Sequence, residues 1–297
     1  MVSPSRRREA ADHVQEVVGV SERRACRTLE QPRSTQRCRP RLRDDEPRLV
    51  ARMHELVRAH PRYGHRRVHA LLVREGWRVN RKRVHRLWKR EGFKVPRKAR
   101  KKRRLGSSDN ACSRRSPERK DHVWAWDFLF DRTVDGRRLK WFTLVDEFTR
   151  ECLALEVRRH FGAEDVKALL AELVRWRGAP EHIRSDNGPE FIAKAIREAL
   201  AEAGVETLYI APAAPWENGY AESFNGKVRD ELLNAEEFTS LLEAQVLAAD
   251  WKRDYNTNRP HSALGYLTPC EFSAQLQVAQ IKTARGALHP GVPSESN

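Results

Sequence analysis

The spacing of apolar positions predicts three short helices in residues 44–93. Leu49, Val50, Met53, Leu56 and Val57 lie at positions i, i+1, i+4, i+7 and i+8, which is the pattern of a half-buried amphipathic helix. The stretches HRRVHALLVREGW and NRKRVHRLWKREGF repeat this pattern, and each reaches a glycine near its end, where helices commonly stop. Arginine, lysine and histidine fill the outer faces, so a small helical domain with a basic surface is predicted.

Two shorter helices are predicted before this domain, within residues 1–43. The stretch VSERRACRTLEQPRSTQRCR contains a candidate N-cap, Ser21, and a turn, EQPRST, between two helical patterns. This arrangement is typical of a helix-turn-helix, which lays its second helix in the major groove of DNA. Any short basic helical hairpin would show the same pattern.

From Val123 onward the pattern changes to strands. The aromatic and β-branched runs HVWAWDFLFD and RLKWFTLVDEFTR are joined across Asp135-Gly136, a favoured hairpin dipeptide, and ECLALEV follows as a third strand. Helical and strand patterns then alternate through EDVKALLAELVRWRG, EHIRSD, PEFIAKAIREALAEAG and VETLYI, before a long helix that opens near Glu217. Residues 121–275 are therefore predicted to form an α/β (α+β) domain with a mixed five-stranded sheet covered by helices. Residues 276–297 are predicted to be a disordered tail.

Charge separates the two parts of the chain. The net charge is +16, and residues 1–120 carry 37 Lys and Arg against 13 Asp and Glu. Residues 94–120 are basic and poor in apolar side chains, and they are predicted to be a linker that follows a phosphate backbone. A basic front half indicates a polyanionic partner, of which nucleic acid is the first candidate.

Composition also argues against several classes of protein. No apolar run approaches the roughly 20 residues needed to span a bilayer, and the N-terminus lacks the apolar core of a signal peptide. The five cysteines form no CxxC pair, as expected of reduced thiols. A cytoplasmic protein without a membrane partner is predicted. His65 and His69 lie four residues apart, but a zinc site would need two further ligands, so contacts with phosphate or solvent are the preferred interpretation.

Three acidic residues have positions in the predicted helices and strands that suggest a function. Asp127 lies within the first strand among aromatic and aliphatic neighbours, where an unpaired buried carboxylate would cost several kcal/mol. It must therefore have a partner, face a cleft or bind a cation, unless it lies on an edge strand and points to water. Asp186 closes the fourth strand before Asn187-Gly188; turn chemistry alone could explain it, but the turn also presents the carboxylate at the strand tip.

Two carboxylates at neighbouring strand ends repel each other unless a cation lies between them, and oxygen ligands suit Mg²⁺ or Mn²⁺. A third acid, Glu222, follows Asp186 after 35 intervening residues. On its helix, Asn218, Asn225 and Arg229 share its face, which makes a polar stripe able to meet DNA. A lone helical glutamate would more often be a solvated residue.

The spacing of Asp127, Asp186 and Glu222 resembles the DD(35)E triad of retroviral integrases and related bacterial transposases. Four further segments resemble the downstream-frame protein of the insertion-sequence family three transposases. They are RYGHRRVHALLVREGW, RSDNGPEF, PWENGYAESFNGKVRDELLN and DYNTNRPHSALGYLTPCEF. The similarity extends over most of residues 20–273.

This resemblance implies a ribonuclease-H-like core in which the three acids hold two Mg²⁺ ions, with Mn²⁺ as a substitute, for two-metal phosphoryl transfer. It implies cleavage at the ends of a mobile element, then attack of the freed 3′-hydroxyl on target DNA. The implied partners are the terminal repeats, target DNA, further copies of the chain in synapsis and an upstream-frame protein or fusion, at the bacterial nucleoid. Candidate DNA-binding residues are Arg229, Asn218, Asn225, Lys227, Arg66, Arg67, Lys82 and Arg83.

Some features depart from the family pattern or leave alternatives open. Glu30 stands in the helix-turn-helix turn where relatives often have glycine, and the chain contains no heptad zipper. A non-catalytic DNA-binding regulator and a nuclease without joining activity are the alternative functions. In WKRDYNTNRPHSALGYLTP, a buried helix tail followed by a loop competes with DNA contacts by Asn258, Arg259 and His261.

Overall fold

The computed structural model describes residues 4–38, 43–96, 116–185, 194–209 and 219–288. The chain divides into two compact units, residues 1–56 and residues 57–297. Two of the predicted site residues, Asp186 and Asn218, lie outside the described residues. Of the helices in the described ranges, none is long and apolar enough to cross a membrane.

The first unit contains the predicted pair of short helices. Its helices are α1 (Pro4–Val18), α2 (Glu22–Thr28), α3 (Arg33–Arg37) and most of α4 (Glu46–Ala59). A buried amide network joins α1 to α3, because the Gln36 side chain accepts a hydrogen bond from Gln31 and donates one to Asp12, each at 2.7 Å. Glu30, in the turn between α2 and α3, has a left-handed φ of 52°, which costs a residue with a Cβ roughly 1–2 kcal/mol.

The second unit begins with a helical hairpin, α5 (His65–Arg74) and α6 (Arg81–Arg90). Its apolar faces bury Val68, Leu72, Val84 and Leu87 completely, as the spacing predicts. Asn80 caps α6, since its side chain accepts a hydrogen bond from the backbone N–H of Arg83 at 2.8 Å. The first residue of the stretch NRKRVHRLWKREGF is therefore the N-cap of α6.

A mixed five-stranded sheet forms the centre of this unit. Its strands are β1 (Val123–Arg132), β2 (Arg138–Asp146), β3 (Cys152–Arg158), β4 (His182–Ser185) and β5 (Glu206–Tyr209). The strand order is β3-β2-β1-β4-β5; β1 to β3 pair antiparallel, while β4 runs parallel to β1 and to β5. The predicted five-stranded sheet is confirmed. Since β1 is the central strand, the interpretation of Asp127 as an edge-strand acid is wrong.

Helices cover both faces of the sheet. They are α7 (Ala163–Arg177), α8 (Lys194–Glu202), α9 (Gly219–Val228) and α10 (Leu241–Thr257), with a π-helical turn at Arg229–Leu233 and a 3₁₀ turn at Ser262–Leu264. A last helix, α11 (Pro269–Leu288), packs against α10. Trp124 and Trp126 pack with α7 and α8, whereas Ala125 and Leu129 pack with α9 and α10, because successive strand residues point to opposite faces. Asp127 therefore lies on the α9 side.

The C-terminal end differs from the prediction. Helix α11 continues to Leu288, so the predicted disorder from residue 276 is wrong for residues 276–288, which contain good helix formers such as Ala, Gln and Lys. Residues 289–297 lie outside the described residues.

Candidate active site

Asp127 is held by two hydrogen bonds on the α9 side of the sheet. Its side chain is half-buried; Oδ1 accepts from the backbone N–H of Phe128 and Oδ2 accepts from the Asn225 amide, both at 2.7 Å. Of the alternatives for a buried Asp127, the structure shows a hydrogen-bond partner, which is an amide of α9.

Asn225 connects this helix to two strands. Its side chain is 5% exposed, and its Oδ1 lies 3.0 Å from the hydroxyl of Thr143, which also lies 3.0 Å from the main-chain oxygen of Asp127. Thr143 is the β2 partner of Asp127 in the sheet register. The amide therefore fixes α9 against β1 and β2 at the level of Asp127, a role that the sequence pattern did not reveal.

Glu222 lies one helical turn before Asn225. It is exposed and occupies the first turn of α9, where a negative charge is favoured by the helix dipole. Residues three apart on a helix share a face, so the Asn225–Asp127 hydrogen bond brings the face that carries Glu222 to the strand that carries Asp127. Asp186 follows Ser185, the last residue of β4, and lies outside the described residues.

The predicted DNA-binding residues are distributed over several surfaces. Arg229, Arg66 and Lys82 are exposed, Arg83 is buried, and Arg67 and Lys227 are half-buried. Arg67 donates to Glu231 at 3.2 Å, whereas Lys227 lies on a different face of α9 from Glu222. DNA contact by each of them, and by Asn225, stays a prediction.

Of the three candidate residues after α10, Arg259 and His261 are buried, whereas Asn258 is exposed. Arg259 is 1% exposed and His261 is 4% exposed, which favours the buried interpretation of this stretch for both residues. Arg259 donates two hydrogen bonds of 2.6 Å to Glu231. Burial alone would raise the pKa of Glu231, but the hydrogen bonds and charge of Arg259 outweigh it and lower the pKa. Burial and then the charge of Arg259 lower the pKa of His261 to about 2, so its ring is neutral.

A second group of titratable side chains lies at the opposite end of β1 and β4. Ligand atoms of His122, Glu181 and His182 lie within 4.8 Å of one another. Nδ1 of His122 accepts a hydrogen bond from the backbone N–H of Glu118 at 3.0 Å, and its Nε2 is directed toward Glu181. Nε2 of His182 lies 3.0 Å from Glu181. The Glu181 carboxylate is therefore a hydrogen-bond partner of His182 and lies 3.6 Å from Nε2 of His122, and this group is separate from Asp127.

The paired histidines of α5 make local contacts. The rings of His65 and His85 lie 4.3 Å apart, and His69 Nε2 lies 3.0 Å from the main-chain oxygen of Val79. Burial, followed by the charge of His85, lowers the pKa of His65. These contacts tie α5 to α6 and to the segment before it.

Family models match most of the second unit and part of the first. Two models described as integrase core domain match residues 117–215 and 203–269, and one described as HTH-like domain matches residues 43–103. The integrase-core matches span the sheet and its covering helices. The predicted ribonuclease-H-like fold, a mixed five-stranded sheet with flanking helices behind a helical DNA-binding region, is therefore confirmed.

Several known proteins are similar over most of the chain. An uncharacterized 39.2 kDa protein of insertion element IS476 from Xanthomonas euvesicatoria is 39% identical over 95% of this chain and 81% of its own length. An uncharacterized 31.7 kDa protein of insertion element IS407 from Burkholderia multivorans is 40% identical over 88% of this chain and 94% of its own. The transposase InsD of insertion element IS2 from Escherichia coli is 28% identical over 78% of this chain and 80% of its own length. Among solved structures, the HTLV-2 integrase catalytic core domain in complex with magnesium matches 52% of this chain and 97% of its own, at 16% identity and a TM-score of 0.41.

Proposed function

Because the chain belongs to the insertion-element transposases, among the downstream-frame proteins of insertion-sequence family three, we propose that it cuts DNA at the ends of an insertion sequence and joins the freed strands to target DNA. The observation that carries this proposal is the 2.7 Å hydrogen bond from Asn225 to Asp127. It holds the helix of Glu222 against the central strand of Asp127, as a shared acidic site requires.

The donor chemistry fits a divalent cation. Asp127 and Glu222 offer carboxylate oxygens, which are the ligands that Mg²⁺ and Mn²⁺ prefer. Asp127 is half-buried on the α9 side of the sheet, and Glu222 is exposed on α9, so one donor is rigid and the other accessible to DNA. We propose that Asp127, Asp186 and Glu222 together hold two ions. When bound, they would supply charge stabilisation and a lowered pKa of the attacking water or hydroxyl.

The protein side chains position this chemistry. The amide of Asn225 orients the carboxylate of Asp127 through the same contacts that anchor α9. Arg229 lies seven residues after Glu222 and is exposed, so it is proposed to contact a phosphate of the terminal DNA. Arg66 and Lys82, also exposed, are proposed to hold the flanking duplex, since basic side chains on phosphates supply most of the sequence-independent affinity.

Further partners follow from the proposed reaction. Bringing two ends of one element together requires at least two copies of the chain. An upstream-frame protein or fusion is proposed to supply specific recognition of the ends, and the substrate directs the protein to the bacterial nucleoid. Target DNA completes the set of partners.

Strand transfer by purified protein tests the proposal. The substrate is a duplex that carries the terminal repeat of the insertion element encoding the chain, with Mg²⁺ or Mn²⁺, and with or without the upstream-frame protein. Wild type is compared with Glu222→Gln and with Glu202→Gln, which removes an exposed acid from α8. We expect cleaved and joined products from wild type and Glu202→Gln, and DNA binding without either product from Glu222→Gln.

The alternatives predict other results. Binding of the ends without cleavage, even by wild type with its upstream-frame protein, would favour a DNA-binding regulator. Cleavage that depends on Glu222 but never yields a joined product would favour a nuclease.

A further inference from the structure

A basic pocket opens on the other side of α9. Tyr220, Ser223 and Lys227 line it from this helix; they are offset by two positions, about 200° around the axis, from the face of Glu222 and Asn225. The pocket has a volume of about 300 Å³ and is bounded by α5, by the turn between β2 and β3, and by the segment after α10. It lies entirely within the second unit.

Four cationic side chains line this pocket: Arg67, Arg150, Lys227 and Arg259. They come from four different segments of the chain. Glu231 pairs with two of them, through contacts of 3.2 Å to Arg67 and 2.6 Å to Arg259. The carboxylate of Asp146 also borders the pocket, but it accepts backbone hydrogen bonds from Asp121, Phe148 and Thr149. Positive charge therefore exceeds negative charge around the pocket.

Lys227 combines neutral hydrogen-bond partners with several neighbouring positive charges. Its Nζ donates to the main-chain oxygen and the hydroxyl of Ser223, both at 2.9 Å, and within the described ranges no carboxylate forms an ion pair with it. Burial and then the charge of Arg259 lower the pKa of Lys227 to about 8, with Arg150 and Arg67 adding to the effect and Glu231 opposing it. Like charges gathered at a partly buried site cost energy, which an anionic ligand would recover.

The remaining residues hold the cations in place. The guanidinium of Arg150 lies 3.8 Å from the ring centroid of Tyr220, in a cation–π contact, and Arg150 has a left-handed φ of 64°. Arg259 is fixed by Glu231 and is 1% exposed. The hydroxyl of Ser223 adds a neutral donor beside Lys227. This combination of ammonium, guanidinium and hydroxyl donors is suited to the oxygens of a phosphate group.

We propose that this pocket binds a phosphate group, as a DNA backbone phosphodiester or as free phosphate, on the side of α9 opposite the active site. The DNA form of the proposal rests on the proposed transposase function. A helix is about 10 Å across and nucleotides rise about 3.4 Å per strand, so one strand that crosses α9 spans both faces within about three nucleotides. The pocket would then hold the strand while its neighbouring phosphodiester meets the acids.

The test uses the full chain and two charge variants of one position. Lys227→Met keeps the side-chain length and removes the charge, while Lys227→Arg keeps the charge. Lys167→Met makes the same change on α7, across the sheet. Thermal unfolding is followed with added inorganic phosphate or sulfate at constant ionic strength, and duplex binding is followed by fluorescence anisotropy against salt concentration.

A bound phosphate predicts two opposite changes in Lys227→Met. Without ligand, the unfolding temperature rises, because the repulsion is removed; with ligand, the stabilisation by phosphate disappears. The slope of log affinity for DNA against log salt falls in magnitude by about 1, as expected for one lost phosphate contact. In wild type, Lys227→Arg and Lys167→Met, added phosphate still raises the unfolding temperature, which is called the phosphate effect below.

Each other outcome has a defined meaning. Loss of phosphate stabilisation without a change in the DNA slope supports free phosphate as the ligand. A Lys227→Met protein that unfolds at a lower temperature and keeps the phosphate effect would overturn the proposal. Glu222→Gln must keep the phosphate effect; if it does while wild type neither cleaves nor joins DNA, the transposase proposal fails and the pocket proposal stands.

The pH dependence provides a further arm of the experiment, with sulfate as a probe that stays fully ionised. Arg67, Arg150, Arg259 and the neutral His261 keep their charge states near pH 8, so Lys227 is the group that titrates there. Sulfate binding is expected to weaken as the pH rises above about 8 and to lose this dependence in Lys227→Arg. An identical profile in both proteins would exclude Lys227 from the binding site.

Discussion

The two faces of α9 handle charge in opposite ways. On one face, Asn225 offers a neutral amide to the half-buried carboxylate of Asp127, and Glu222 is exposed beside it. On the other, Lys227 lies among arginines, two of which, Arg67 and Arg259, pair with Glu231. A helix of ten residues thus separates an acidic site from a basic pocket by little more than its own diameter.

The difference shows how one helix can serve two electrostatic roles. Glu222 lies in the first turn of α9 and Lys227 in the last, so the helix dipole stabilises both charges. The acidic face depends on hydrogen bonds from neutral groups, whereas the basic face depends on incomplete charge pairing. Changes on the acidic face should therefore alter chemistry, and changes on the basic face should alter stability and anion binding.

The largest expected effect is on the acidic face. Asp127→Asn keeps the shape of the side chain but removes the charge, and the rate of DNA cleavage should fall about 10³-fold or more, since a lost metal contact costs several kcal/mol of transition-state stabilisation. DNA affinity should stay within about twofold. Cleavage kinetics with Mg²⁺ and anisotropy measure the two quantities. Asp131→Asn, four residues later in β1, is the matched control. Equal loss of binding and cleavage would contradict the separation of the two faces.

Glu231→Gln breaks the charge balance of the basic face. Arg259 would stay buried without its anion, and the free energy of unfolding should decrease by about 3 kcal/mol. Because the folded-state pKa of Glu231 is lowered from 4.5, its contribution to stability is present above that pH and is lost as the pH falls through the folded-state value. Urea unfolding at pH 7 and below pH 4 should therefore show a difference between wild type and variant that shrinks in acid. Glu237→Gln, an exposed neighbour, should leave stability unchanged; equal stabilities of wild type and Glu231→Gln at pH 7 would contradict a structural ion pair.

Asn225→Ala tests the contact that joins α9 to the acidic site. Loss of a positioning hydrogen bond behind a metal ligand typically costs 10- to 100-fold in metal affinity or activity, so an effect of roughly this size is expected. The Mg²⁺ concentration that gives half-maximal cleavage should rise, which a merely structural role would not produce. An unchanged Mg²⁺ requirement with lower stability would assign Asn225 to packing alone.

The smallest effect is expected at the rim of the basic pocket. Tyr220→Leu removes the ring beneath Arg150, and this contact contributes about 0.5–1 kcal/mol at a partly exposed site. Phosphate affinity, measured by titration calorimetry, should fall about two- to fivefold. Tyr220→Phe keeps a ring face and should behave like wild type; an equal loss in both variants would indicate that the hydroxyl, and not the ring, is responsible.

Local patterns predicted many elements correctly. Alternating aromatic residues identified β1 and β2, and Asp135-Gly136 identified their turn, where Gly136 has a φ of 80°. The unusual Glu30 was visible in the sequence, and the structure shows its consequence as a left-handed residue. Each of these features depends on neighbours a few residues apart, so periodicity and turn chemistry are sufficient to find them.

Other features could not be read from local patterns. Asn225 was predicted only as part of a polar stripe, yet it contacts a strand residue 98 positions away. Arg67 and Glu231 are separated by 164 positions, and the sequence provides no periodic signal over such a distance. Helix α11 also continues to Leu288, although the sequence pattern predicts disorder from residue 276.

The sequence by itself determined the alternation that makes two-faced strands, the charge contrast between the two halves and the spacing of the three acids. Only the tertiary structure decided which side of α9 meets Asp127 and which cations share Glu231. The physical reason is that propensity and periodicity act over a few residues, whereas burial of charge and satisfaction of polar groups depend on whichever distant segments the fold brings together.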